Sequence, residues 1–206
     1  MPSSPRGADP ERGLVGYYAA TAKQGPSKLL LRALPYMKGT DAVDLGCGIG
    51  QDSLELSRRG YSVLAIDSAP RAIEAVEALG LPGVSARQAD FRKLELRPGS
   101  FDLAHACMSL PFAGPQFVPP LLRRIARWLR PEGVLSCHLL GDKDSWNTLG
   151  DANTIAFHSR DELDELLRPF DVIDLWEMFR RQPDGEIAHI FGVIARPAAT
   201  RPARAG

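Results

Sequence analysis

Asp41-Ala-Val-Asp-Leu-Gly-Cys-Gly-Ile-Gly50 decides how this chain is read: an apolar run reaches a carboxylate, and glycines follow at positions 46, 48 and 50. Ala42, Val43 and Leu45 have the make-up of a buried strand. Glycine permits the positive φ of a tight turn and lets a bulky ligand approach the backbone. Asp44 falls at the carboxyl end of that strand, which is where open α/β sheets bind ligands. A helix that follows turns its free N–H groups and positive dipole end toward the same place. The stretch therefore predicts a loop for a nucleotide-type ligand.

Spacing separates the candidate ligands. A dinucleotide fingerprint, G-x-G-x-x-G counted from Gly46 and Gly48, needs a third glycine at position 51, and the residue there is Gln51. The order D-x-G-x-G-x-G instead resembles motif I of the class I S-adenosylmethionine (SAM) dependent methyltransferases. In that family the acidic residue and the loop backbone hold the methionine part of the cofactor. The resemblance implies such contacts for Asp44, Gly46, Gly48, Gly50 and the backbone of Cys47. A glycine loop also serves ordinary strand-to-helix turns, so two later carboxylates carry weight. Asp67 ends the apolar run Val63-Leu-Ala-Ile-Asp67, ahead of a helix opened by Ser68 and Pro70. A carboxylate there can accept both ribose hydroxyls, a geometry that NAD shares. Asp90 closes a third strand, Val84 to Phe91, where the resemblance implies a bond to the adenine amino group and a ring-edge contact from the Phe91 N–H. Ser68 and Cys107 complete the implied cofactor-binding set.

The order continues as the family has it, with Phe101 to Met108 as a fourth strand and Gly133 to Leu140 as a fifth. Between them Val118, Leu121, Leu122, Ile125, Trp128 and Leu129 recur at helical spacing, with Arg123, Arg124, Arg127 and Arg130 on the other face, read as a solvated surface. Arg130-Pro-Glu-Gly133 reads as a turn before the fifth strand and resembles the L-x-P-G-G segment of many methyltransferases, with Glu132 in place of the first glycine. Ser159-Arg-Asp-Glu162 is a capping-box start for a helix that points Leu163, Leu166, Leu167 and Phe170 inward. Two last strands, about 172–179 and 187–195, flank Gln182-Pro-Asp-Gly185 as a hairpin. The expected fold is α/β, Rossmann-like. The resemblance supplies a seven-stranded, mostly parallel sheet of order 3-2-1-4-5-7-6, strand 7 antiparallel, with helices on both faces.

Over residues 14–197 the chain is most similar to small bacterial methyltransferases of the tellurite-resistance and thiopurine-like type, which are single-domain enzymes. In this group an aromatic N-terminal helix, here Tyr17, Tyr18 and Thr21, closes over the cofactor. Tyr17 is thus a candidate cofactor contact and Tyr18 a candidate catalytic residue, although both could equally pack a lid helix on the sheet. With 206 residues and 44% hydrophobic content, the chain suffices for one core. Residues 1–13 and 198–206, rich in Pro, Gly, Ala and Arg, read as flexible tails around a 14–197 domain. The 25 basic and 25 acidic side chains cancel, so no overall field recruits nucleic acid, and a small-molecule substrate is favoured. No apolar stretch has the length of a membrane span and no leader-like region opens the chain. The expectation is a cytoplasmic monomer or homodimer.

Cys47, Cys107 and Cys137 form no C-x-x-C pair and are odd in number, so neither a disulfide framework nor a metal site is expected. Strands one, four and five would be neighbours, which would bring these thiols toward His105 or His138; buried free cysteine is ordinarily a small hydrophobe. Methyl transfer needs a nucleophile held in line with the methyl group, and a soft acceptor needs no base. For an oxygen, nitrogen or carbon acceptor, His105 and His138 are the catalytic candidates as general bases. Asp142 and Asp144 could orient a substrate or cap a turn, His158 reads as a loop residue, and His189 is given no chemistry. Two alternatives stand beside the methyltransferase: an NAD(P)-dependent oxidoreductase, disfavoured by Gln51 and the absence of a Tyr-x-x-x-Lys pair, and a non-catalytic SAM-binding protein.

Overall fold

In the computed structural model of the protein, residues 25–148, 154–182 and 185–199 are described. Tyr17, Tyr18, Thr21, the N-terminal tail and all but the first two residues of the C-terminal tail lie outside them. After a short helix α1 (Lys28–Ala33), strand β1 (Asp41–Leu45) runs into helix α2 (Gln51–Arg58). Strand β2 (Ser62–Asp67), helix α3 (Pro70–Ala78), β3 (Val84–Gln88) and β4 (Phe101–Ala106) follow. Helix α4 (Val118–Trp128) leads into the long β5 (Leu129–Gly141). The chain then passes through α5 (Ser145–Thr148), a two-residue strand β6 (Phe157–His158) and α6 (Glu162–Leu166), and closes with β7 (Phe170–Arg181) and β8 (Ile187–Pro197).

The sheet order is β3-β2-β1-β4-β5-β8-β7, parallel through β5, with β8 antiparallel to both β5 and β7. This is the expected order and direction. The one addition is β6, which pairs with the end of β5 at Leu140 and Gly141, so His158 is a strand residue rather than a loop residue.

Alternation along the strands divides the core, because successive side chains point to opposite faces. Val43, Leu45, Ala104, Leu135 and Val193 pack with α4 and α6 on one face. Ala42, Leu103, Val134 and Ile194 pack with Leu30, Ala33 and Leu56 on the other. The apolar stripe of α4 is buried from Val118 to Trp128. The arginines expected as a plain solvated face include two, Arg124 and Arg130, that have specific partners. Arg124 reaches back to the carbonyls of Phe91, Arg92 and Leu94 at 2.9–3.1 Å, and Arg130 bridges Asp41 and Asp102 across three strands. Both corrections have one cause, partners that lie 28 or more residues away along the chain.

The expected turn at 130–133 is also corrected: β5 begins at Leu129 and runs through it, with a register shift opposite Phe101 and Leu103. A Cβ at Gly133 would meet the Phe101 carbonyl oxygen at 2.9 Å, so the glycine answers a close strand approach. The capping-box bonds at Ser159 and Glu162 form, although regular helix starts only at Glu162. Near β2, Ala69 rather than Ser68 occupies the cap of α3.

Candidate active site

Strand β1 lies between β2 on one side and β4 on the other, so the chain reverses its direction of strand addition at β1. Such a switch point leaves a crevice beyond the strand ends. The loop 46–50 sits there. Gly46, Gly48 and Gly50 have φ of 75°, 52° and 82°. At Gly46 a side chain is excluded twice, by that φ and by the Cβ of Ser109, whose hydroxyl donates to the Leu45 carbonyl at 2.6 Å. The Gly46 and Cys47 N–H groups bond the Ile66 carbonyl at 2.7 and 2.9 Å, which ties the loop to β2. Asp67 takes part from the end of that strand: it accepts from the Gly48 N–H at 3.0 Å and the Ala69 N–H at 2.9 Å.

The cleft at the loop, about 120 Å³, is lined by Ser27, Asp44, residues 46–49, Gln51, Asp52 and Cys107 among others. Among the described residues two carboxylates line it and no Lys or Arg does. A larger groove of about 970 Å³, between Pro119, Arg127, Glu165 and Pro169, shares no residue with it; loop geometry and charge, rather than volume, mark the smaller one. Asp44 is buried and accepts from the Ser53 hydroxyl at 2.7 Å. Burial is the main cause that pushes its carboxyl up to about 6, against the pull of His105.

Beneath the cleft, Asp52 accepts from the Ser27 N–H at 2.6 Å and shares a 2.8 Å bond with His105 Nε2; His105 Nδ1 lies 3.3 Å from the Ser136 hydroxyl. Burial opposes ionisation of both groups, yet their mutual bond and charge hold Asp52 below the usual carboxylate range and His105 above the usual imidazole range. His105 is fully buried. Both of its ring nitrogens are engaged, Nε2 with Asp52 and Nδ1 with Ser136, an arrangement that suits a positioning residue as well as a base. His138 is half-buried, with Nδ1 3.7 Å from Cys107 Sγ, and burial pushes its pKa down to about 4. Burial also raises the Cys107 thiol to about 12, so the pair is a neutral thiol and imidazole.

Beyond the end of β3, Asp90 is held by the Arg92 guanidinium at 2.7–2.9 Å and by the Arg92 N–H at 2.9 Å. Phe91 is half-buried against the core, and Ser68 is exposed. The structure thus brings together Asp44, the glycine loop, Asp67 and Cys107, and adds Asp52, Ser27 and Gln51. Asp52 carries a signal readable in the sequence, an acidic residue in the first turn after the loop, but that position is common as a helix-dipole partner. Asp144 is a turn residue: it is buried and accepts the N–H groups of Trp146 and His189 at 3.0 and 2.9 Å.

Residues 42–133 match the family model described as "Methyltransferase domain". Trans-aconitate 2-methyltransferase of Deinococcus radiodurans is 32% identical over 125 residues, which cover 60% of this chain and 46% of that protein. The chain thus spans about half the length of the curated relatives it matches. TehB from Haemophilus influenzae superposes with a TM-score of 0.72 at 18% identity, covering 88% of this chain and 65% of that one. A Burkholderia thailandensis 1,6-didemethyltoxoflavin-N1-methyltransferase, solved with its substrate and S-adenosylhomocysteine, superposes at 0.64 and 19% identity, covering 97% and 95%. Loop pattern, strand order and matched region agree, and residues 42–133 are similar to a methyltransferase domain.

Proposed function

We propose that the chain transfers the methyl group of SAM to a small-molecule acceptor. The observation that carries this reading is the lining of the cleft, a glycine loop over the two carboxylates Asp44 and Asp52, with no cationic side chain among the described residues. A sulfonium and an ammonium group suit such a floor, whereas the pyrophosphate of a nicotinamide cofactor does not. In this reading Asp44 and the backbone of residues 46–50 hold the methionine end. Asp67 and Ser68 take the ribose, and the Phe91 N–H with Asp90 the adenine; Asp90 would have to yield part of its bond to Arg92. Cys107 flanks the sulfonium side. Tyr17 and Tyr18 remain proposed contacts from a segment outside the described residues.

The acceptor's lone pair forms the new bond to the methyl carbon as the carbon–sulfur bond breaks, and that electron pair stays on sulfur. The protein's part is alignment and exclusion of water. His105 holds Asp52 in place rather than taking a proton. His138 is the imidazole left to accept one, and its low pKa makes it a weak base, which favours acceptors that need little deprotonation, such as a thiol or chalcogenide. The names of two similar proteins state small acceptors, trans-aconitate and 1,6-didemethyltoxoflavin, and support an acceptor of that size here. The finer likeness to tellurite-resistance enzymes is supported by the fold of TehB alone. We place the protein in the cytoplasm as a monomer or homodimer, with no nucleic-acid or membrane partner; no helix among the described residues is long and apolar enough to cross a membrane.

Calorimetry with SAM, S-adenosylhomocysteine, NAD and NADP, followed by a labelled-SAM screen of thiols, phenols and amines, tests the reading. Binding of the first two and labelling of an acceptor are expected. Micromolar binding of a nicotinamide cofactor without SAM binding would overturn it, and SAM binding with no turnover on any acceptor would favour a non-catalytic SAM-binding role.

A further inference from the structure

We propose that Asp52, His105 and Cys107 form a binding site for a divalent cation of the zinc class, with an open coordination position facing the cleft. The three side chains come from α2, β4 and the residue just beyond β4, yet one donor atom from each lies within 4.8 Å of the others. A carboxylate, an imidazole and a thiol are the donor set that zinc takes, and three protein ligands with a vacant fourth position is the arrangement of its reactive sites. Zinc bonds of about 2.0–2.3 Å place tetrahedral donors roughly 3.3–3.8 Å apart. The 2.8 Å separation of His105 Nε2 and Asp52 Oδ2 must open by about half an ångström, and Cys107 must close on them.

The surroundings are already arranged for ligation. The Ser136 hydroxyl beside Nδ1 of His105 can accept that nitrogen's proton in a hydrogen bond, leaving Nε2 as the ligating atom, and the Ser27 N–H fixes the second oxygen of Asp52. Partners of this kind orient ligands in metal sites. Asp52 and Cys107 both line the cleft, so the fully buried His105 is reached through them. Nearby Asp44 adds negative charge, and no Lys or Arg among the described residues lines the cleft to oppose a cation. Binding replaces the proton between His105 and Asp52 and the thiol proton of Cys107, both of which pass to solvent as the metal bonds form. His138 Nδ1 lies 3.7 Å from the sulfur.

The spacing of the cysteines in the chain hides this site, because its other ligands are a histidine within the sheet and a carboxylate on a helix. Cation binding is measured without SAM, so its failure and a failure of the methyl-transfer reading are told apart. The test is titration of the purified, metal-free protein with Co²⁺ and Zn²⁺, read by absorption spectroscopy and by metal analysis after dialysis. One equivalent of tetrahedral Co²⁺ with a thiolate-to-cobalt charge-transfer band, displaced by Zn²⁺, is expected. Cys107→Ser should abolish the band, and Asp52→Asn should weaken binding by at least about tenfold. The wild-type spectrum reports the sulfur ligand directly, so the test stands even where a variant folds poorly. Substoichiometric metal after dialysis, cobalt bound with no thiolate band, or a band that survives Cys107→Ser would overturn the proposal.

Discussion

Two buried histidines in this sheet meet carboxylates in opposite ways. His105, in β4, shares its Nε2 with Asp52, a residue that lines the cleft, and has only a serine hydroxyl on its other nitrogen. His189, in β8, bonds Glu177 at 2.8 Å, accepts the Lys143 N–H at 3.1 Å, and has its ring against Phe179 and Phe191 at centroid distances of 4.3 and 4.8 Å. A Cβ on Gly141 would run into the His189 ring, so β5 has no side chain where the imidazole crosses it. One histidine anchors a group that a ligand can meet; the other fastens the loop after β5 to the terminal hairpin. Burial and a carboxylate partner are common to both, and what distinguishes them is whether the partner opens into a cavity.

The largest effect expected from breaking this contrast is at the cleft. Gly46→Ala combines a strained φ with a collision at Ser109, and strain plus overpacking should cost about 3 kcal/mol or more. Calorimetry should find no measurable SAM binding, with a lower Tm. Asp67→Ala comes next, with SAM affinity falling about tenfold to a hundredfold, the value of one or two charge-assisted bonds. The fold should largely survive, as circular dichroism would verify, and an unchanged dissociation constant would confine Asp67 to bracing the loop. On the fastening side, Gly141→Ala should destabilise the fold by roughly 1–3 kcal/mol through the clash with His189, while SAM affinity stays within about twofold. A cofactor effect as large as that of Asp67→Ala would erase the distinction between the two regions.

The smallest effect is in pH. The folded pKa of Asp44, near 6, lies above its unfolded value, so its contribution to stability is present in full below about pH 4 and is lost as pH rises through 6. Its ionised form then costs up to about 3 kcal/mol at neutral pH. Cofactor binding has the opposite sign. A cationic ligand needs the carboxylate, so SAM affinity should fall about tenfold between pH 7 and pH 5, with Asp52, Asp67 and His105 as the charges facing the same space. Asp44→Asn should flatten both profiles and raise Tm at pH 7. A SAM dissociation constant independent of pH in the wild type would remove Asp44 from the cofactor's reach.

The sheet was legible because its signals are local. The run 41–50, the carboxylates at 67 and 90, and the stripe of α4 each declare themselves within a dozen residues, and the resemblance supplied the strand order. The pairs that were not legible join distant positions: Asp52 with His105, Arg124 with three carbonyls before β4, Arg130 with Asp41. A histidine near the end of an apolar strand looks the same in sequence whether it faces a cleft or a buried acid. The sequence therefore could not show that His105 meets Asp52 rather than open solvent. Strand β6, two residues long, is too short to carry any periodicity.

Arg124 has one more consequence. Residues 90–95 contain no helix or strand, yet three of their carbonyls are gathered by one guanidinium whose stem stands on α4. A planar group with several fixed donors can act as a small template in a way that the point charge of a lysine cannot. The segment bearing Asp90 and Phe91 therefore takes its shape from a helix on one face of the sheet, so a single substitution at Arg124 would release three of its carbonyls at once.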